Sequence, residues 1–282
     1  MFSILPEFKE QYSRYIDLGK KYLSNQKIIV VGLTRNSESY LEENILAIDN
    51  IKSYCSKLSY FIYENDSTDN TSKTLSSLKS KVQNFDYRSD KLNLKQFVHG
   101  KNMDLKSIER TSNLAKHRNI CLSHVQKNND KFDFVIVMDT DFQKFSLDGI
   151  INSFGWLSAN YCDAMVGNSF EMKSLTMDQT SQIIWNYDCW AYRGSWWEDL
   201  QKYAAVYSHD PMMWFGFWQP PIGSSPIKVN SAFGGIAIYK SADYIKSKYD
   251  GYDCEHVCFH KNMITKFPDY KICINPSQMM FF

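Results

Sequence analysis

The chain has no run of 18 or more apolar residues, so none of it is long and apolar enough to cross a bilayer as a helix. Its first 25 residues also lack the short apolar region of a secretory signal. It has no excess of either charge, since 32 Lys and Arg stand against 31 Asp and Glu. That balance excludes the basic footprint of a nucleic-acid or anionic-membrane binder. No Cys-x-x-Cys pair occurs, and an odd number of cysteines, seven, argues for reduced thiols in a cytoplasmic, soluble setting. Cys254 and Cys258, at helical spacing, read as small apolar fillers. Internal repeats, low-complexity tracts and disordered linkers are absent as well.

Aromatic residues are abundant instead: 18 Tyr, 18 Phe and 7 Trp. Most of the tryptophans fall between Trp185 and Trp218, in a polar segment that contains Gly and Pro. Rings of this size serve a core, and equally a surface on which a sugar ring stacks its apolar face.

Taken in order, residues 1–26 space Phe8, Tyr12, Tyr15, Ile16, Tyr22 and Leu23 as the stripe of a docking helix. Lys27–Leu33 reads as a buried strand. A helix follows, with Ser39 and Glu42 at capping-box spacing and a stripe of Leu41, Ile45, Ile48, Ile51 and Cys55. Leu58–Tyr63 is the next strand, then the turn-rich run Glu64–Thr71 and a polar helix to about Ser80. This alternation predicts an α/β fold with right-handed parallel crossovers. Short strands are expected near Phe85 and over Gln96–His99, and a helix over Ser107–Gln126. Beyond the next strand come a helix over 146–158, a strand over Cys162–Gly167, and the aromatic region Ile183–Pro226. A strand over Lys228–Tyr239 is interrupted by Gly234-Gly235, the mark of a bulge or a close backbone approach. Helices near 241–248 and from Glu255, and a strand over Lys271–Ile274, complete the chain.

The stretch with the clearest chemistry is Phe134-Val135-Ile136-Val137-Met138-Asp139-Thr140-Asp141. Its β-branched apolar run reads as a buried strand. Strand alternation lets Asp139 and Asp141 point the same way at the carboxyl end, where open α/β sheets bind ligands. Two carboxylates together are costly unless a cation or hydrogen-bond donors compensate them.

Thr34-Arg35-Asn36, Glu64-Asn65-Asp66-Ser67-Thr68-Asp69 and Asp139-x-Asp141 sit at strand ends in that order, and Asn113-Leu114-Ala115-Lys116-His117-Arg118-Asn119 lies between the last two. This order resembles the nucleotide-sugar half of GT-A glycosyltransferases over about residues 27–142. Together with Tyr187-Asp188-Cys189-Trp190-Ala191-Tyr192-Arg193, it resembles the fungal capsule-associated α-1,3-mannosyltransferase family over residues 27–275. The resemblance implies a GT-A-like, mostly parallel mixed sheet with helices on both faces, in one domain spanning 27–282. Its acceptor half would be residues 143–282. The implied activity is metal-dependent transfer of a sugar from a GDP- or UDP-linked donor to a carbohydrate or glycoconjugate hydroxyl. Asp139 and Asp141 would hold Mn2+ or Mg2+, with His256 or His260 as a late ligand. The base would lie near Thr34 and Arg35, and Glu64 or Asp66 would take the ribose hydroxyls. Arg118 would pair with the diphosphate, its alternative being a helix-face ion pair. Gly235 would let the backbone approach the donor sugar, and Asp188, Trp190 and Arg193 would edge the acceptor site. Glu255 would deprotonate the acceptor if the reaction inverts, or hold it if configuration is retained. The segment Trp214–Pro221 has the composition of a lid. For Asp69 a capping role is preferred.

Two rivals differ in kind. A sugar nucleotidyltransferase usually carries a Gly-rich basic loop after its first strand, which Leu33-Thr34-Arg35-Asn36 lacks. A non-catalytic sugar-binding module has no need for the Asp pair and Glu255.

Overall fold

The structure is a computed structural model that describes residues 3–94, 108–128, 131–174, 182–195 and 216–282. The expected strand at Gln96–His99 and the start of the expected lid lie outside these residues. The chain divides into two compact units, Ser24–Asp141 with Ile238–Tyr270, and Met1–Leu23 with Phe142–Ala237 and Lys271–Phe282.

The first unit is built on parallel strands in the order β3 (Phe85–Asp90), β2 (Lys57–Asn65), β1 (Lys27–Thr34), β4 (Phe134–Asp139). Ile28–Val31 and Val135–Val137 are sealed from water, as near-continuous apolar runs are when helices cover both faces of a strand. Helices α2 (Leu41–Asp49), α3 (Thr71–Lys81) and α4 (Ile108–Gln126) supply the crossovers. The stripe Leu41, Ile45, Ile48 and Ile51 is buried, while the capping box is not formed. The helix starts after Tyr40, which makes no side-chain cap, and the preceding loop is laced to the next one instead. Ser37 N–H donates to Thr71 Oγ1 and Glu38 N–H to Asp69 Oδ2. Asp69 also accepts from Thr71 N–H, so it serves as a cap. Later in the chain come α6 (Ser241–Tyr244), shorter than expected, and α7 (Glu255–Lys266), which opens at Glu255 as the spacing predicts.

The second unit holds α1 (Lys9–Leu23), β5 (Lys144–Phe145), α5 (Leu147–Ser158), β6 (Ala164–Ser174), β7 (Gln182–Asn186), β8 (Arg193–Gly194), β9 (Ile227–Ser231) and β11 (Ile272–Phe281). β6 and β11 pair parallel. β7 on β6, β9 and β5 on β11, and β8 on β9 pair antiparallel. α1 lies on α5 with Tyr15 stacked on Trp156 at 3.4 Å. The backbones touch there: a Cβ on Gly19 would stand 1.9 Å from the Ile151 carbonyl oxygen, and one on Gly155 1.9 Å from that of Tyr15.

The boundary between units falls inside β10 (Ile236–Lys240). The expected strand Lys228–Tyr239 is therefore two, β9 and β10, parted at Gly234 (φ +60°) and Gly235 (φ +79°), as the glycine pair predicts. β11 runs seven residues past its expected end at Ile274, through an irregularity at Asn275–Gln278 whose side chains are buried. There Asn275 donates to Ser153 Oγ, Ser153 to Gln278 Oε1, and Gln278 to the Ile236 carbonyl. The architecture is a mixed α/β one with a mostly parallel core, as expected from the sequence.

Candidate active site

The site grows from the carboxyl ends of the first unit's strands. β4 ends at Asp139, and Thr140 turns back, its hydroxyl donating to Thr34 Oγ1 at 2.9 Å. Thr34 is buried on that contact. Opposite, α4 is docked through Asn119, whose Nδ2 donates to the Tyr249 carbonyl while its Oδ1 accepts from Tyr249 N–H, both at 3.0 Å. These two hydrogen bonds hold the segment that leads into α7.

Arg118, the preceding residue on α4, is buried between two carboxylates. Its Nη2 donates to Asp139 Oδ1 at 2.7 Å, and its Nε stands 3.7 Å from Glu255 Oε1. Burial alone would lower the arginine's pKa, but the Asp139 and Glu255 charges outweigh it and keep the guanidinium protonated. Glu255 is buried too, and desolvation raises its carboxyl above the usual range against the opposing pull of Arg118 and Arg110. Asp141 is pushed up to about 6, by desolvation first and then by the Asp139 charge. Its surface is nonetheless exposed. Protein atoms stand around the carboxyl without covering it, which leaves it open to a ligand.

The histidines of α7 face inward. His256 Nε2 lies 3.5 Å from Glu255 Oε1, and burial, then Arg118 and His260, press its pKa well below the usual range. It is therefore neutral. His260 Nε2 lies 2.7 Å from the Tyr239 hydroxyl, and burial pushes its pKa down to about 3. Among the described residues, no three carboxylate, imidazole or thiol groups gather as a metal cage.

Glu64 is sealed, its Oε1 accepting from Ser67 N–H at 2.8 Å and its Oε2 from the Ser89 hydroxyl. Ser89 escaped notice in the sequence because only the β2–β3 register sets it beside Glu64. Asp66 and Arg35 are both turned to the segment after β3: Asp66 accepts from the N–H groups of Leu92, Asn93 and Leu94, and Arg35 Nη2 donates to the Leu94 carbonyl at 3.0 Å.

In the second unit, Asp188 Oδ2 accepts from Gly234 N–H at 2.7 Å, holding the glycine turn. A Cβ on Gly235 would stand 2.7 Å from Met280 Cε and 2.9 Å from the Phe282 ring, so the close approach expected there is to the unit's own side chains. Arg193 is fully buried, its Nη1 donating to the carbonyls of Trp190 and Tyr192. Trp190 itself is half-buried.

A buried arginine thus joins the carboxylate at a strand end to the one at a helix start. The family model described as Cryptococcal mannosyltransferase 1 matches residues 28–267, which include every one of these groups. The chain belongs to this family. Among curated proteins, none matches this mannosyltransferase-family chain in sequence. Solved structures that share its GT-A-like fold include the following two. The mannosyltransferase PcManGT from Pyrobaculum calidifontis, in complex with GDP-Man and Mn2+, is 14% identical with a TM-score of 0.50, over 98% of this chain and 65% of that one. GalNAc-T7, with UDP, GalNAc and Mn2+, is 11% identical with a TM-score of 0.53, over 99% of this chain and 53% of that one. The mannosyltransferase-family chain thus spans less than two thirds of the length of either.

Proposed function

We propose that this chain transfers a hexosyl group from a GDP- or UDP-linked sugar to a hydroxyl of a carbohydrate or glycoconjugate, with Mn2+ or Mg2+ as cofactor. The observation that carries this reading is buried Arg118, to which both Asp139 and Glu255 turn. One planar cation holds a ligand-binding carboxylate and a proton-accepting carboxylate in a fixed relation.

Asp139 and Asp141 suit a hard divalent cation. They offer carboxylate oxygens, Arg118 takes Oδ1 of Asp139 and leaves Oδ2, and Asp141 is exposed. The like-charge repulsion within the pair is what such a cation relieves. When bound, it neutralises charge developing on the departing diphosphate. We keep His256 and His260 outside the ligand set, because the Nε2 atoms of the two rings face Glu255 and Tyr239 respectively. Arg118 then acts by orienting the two carboxylates. Glu255 serves the acceptor hydroxyl, taking its proton in an inverting transfer and its hydrogen bond in a retaining one; the carboxyl's raised pKa brings it nearer the range a general base needs. Trp190 stays as an acceptor-side candidate, while Asp188 shapes the Gly234–Gly235 turn and Arg193 supports carbonyls.

The PcManGT and GalNAc-T7 complexes support nucleotide-sugar chemistry with Mn2+ on this fold. A thermal-shift series with GDP- and UDP-sugars, with and without Mn2+, should show stabilisation by one donor only when metal is present. Glu255→Gln should keep that shift and lower transfer or donor hydrolysis by about 10²-fold or more. A donor shift indifferent to metal would remove the cofactor from the reading. Unchanged turnover in Glu255→Gln would remove Glu255 from the chemistry.

A further inference from the structure

Three loops leave the carboxyl ends of the adjacent parallel strands β1, β2 and β3, and Asp66 ties them together. It is the first residue past β2 and holds a left-handed backbone, φ +53°. Glycine adopts that conformation freely, whereas aspartate does so at a modest cost that local hydrogen bonds offset. Here the carboxylate is used. Oδ1 accepts from Leu92 N–H and Asn93 N–H, each at 2.7 Å, and Oδ2 from Leu94 N–H and Asn65 Nδ2, each at 3.0 Å. Three successive backbone N–H groups turned on one anion form a nest, and in this chain the anion is built in. Desolvation would raise the Asp66 pKa, but these donors bring it down to about 2. The carboxylate therefore stays charged across the physiological range.

The nest sets the direction of the next carbonyl. Leu94 C=O accepts from Arg35 Nη2 at 3.0 Å, and Arg35 is the first residue past β1. Arginine has five N–H donors in a rigid fork. One goes to Leu94, and Arg35 Nε finds no partner among the described residues. The guanidinium thus stands at the carboxyl edge of the sheet, held at one corner, with donors left over. Its natural complement is a ligand edge made of acceptors, such as the carbonyl oxygens of a nucleobase.

We propose that Asp66 is a positioning residue which, through the Leu92–Leu94 amides and the Leu94 carbonyl, presents Arg35 to the base of the nucleotide donor. This rests on the nucleotide-sugar reading above. It also assigns Asp66 a task different from binding ribose, since its oxygens are already engaged by four donors.

The test uses Asp66→Gly, which keeps the left-handed backbone and removes only the carboxylate, with Arg35→Ala and the double variant. Amide hydrogen exchange at Leu92–Leu94 reads the nest, and calorimetric titration of GDP and UDP with Mn2+ reads the base contact. Asp66→Gly should speed exchange at those amides and weaken the preferred nucleotide about tenfold. In the Arg35→Ala background the same substitution should cost nothing further, the non-additivity expected of residues that act through one another. Equal losses in both backgrounds would overturn the link to Arg35. Faster exchange with unchanged affinity would make the nest purely structural, leaving the nucleotide reading intact. If the wild-type chain binds neither nucleotide, that reading falls and this one with it.

Discussion

At the scale of single residues, Asp139 and Asp141 look alike in the sequence and differ in the structure. Asp139 compensates buried Arg118, while Asp141 is exposed and repelled by its neighbour. Asp141→Asn should abolish Mn2+-dependent stabilisation by donor and leave the metal-free Tm at or above wild type. Asp139→Asn should abolish the same response and also lose about 1–3 kcal/mol, because a hydrogen bond to a charged partner is weakened. Denaturant melts of both variants check this, and equal metal-free stabilities would contradict it. His117 offers a pH test away from these groups. It is buried beside Tyr63, and desolvation lowers its pKa to about 4, against the partial opposition of Asp66 and Asp90 and with help from Arg35 and Lys116. The unfolded chain, with an ordinary histidine near 6.5, binds the extra proton first as pH falls. The stability that neutral His117 contributes is therefore complete above about pH 6.5 and is lost on going down toward pH 4, at up to about 1.4 kcal/mol per pH unit. His117→Gln should flatten the stability–pH curve in that window, and an unchanged slope would show that His117 does not titrate there.

At the scale of elements, the contact of α1 with α5 depends on two absent side chains. Gly155→Val should push α1 off, since any Cβ there meets the Tyr15 carbonyl. We expect a loss of at least about 1–3 kcal/mol, the usual cost of overpacking, and earlier proteolytic cleavage within Lys9–Leu23. A wild-type Tm and cleavage pattern would argue against the contact. Elements with one strong local signal were legible from the sequence. The apolar runs of β1, β2 and β4, the stripe of α2, and the opening of α7 at Glu255 all needed no knowledge of their neighbours. Elements specified by distant partners were not. The tail of β11 carries no strand signal, because Asn275-Pro276-Ser277-Gln278 is polar, and it becomes buried strand where Asn152 and Ser153 of α5 meet those side chains. Two-residue β5 and β8 carry no periodicity at all. The same holds within the site. The strand-end position of Asp139 and the helix-start position of Glu255 were readable from the sequence, whereas the Arg118 link and the engagement of Glu64 by Ser89 depend on which strand and helix come alongside.

At the scale of the whole molecule, all seven cysteines are free thiols, six of them buried and Cys55 half-buried. Thiol titration of the native protein should find Cys55 reacting first, and denaturation without reductant should release seven equivalents. Fewer than seven would mean that some cysteines pair in solution.

One strand described above has a bearing on how copies of the chain behave in company. Among the described residues, β3 ends the strand order on one side. A bare strand margin is an invitation to another chain, because its amides and carbonyls are ready to zip onto a stranger. In β3 the residues two apart are Asp86, Arg88 and Asp90, with Asp86 and Arg88 about half exposed and tied to Lys79 and Asp90. A strand arriving there would have to strip water from these charges and break their pairings before gaining its first hydrogen bond. That toll makes the margin unattractive to a second copy even in crowded solution.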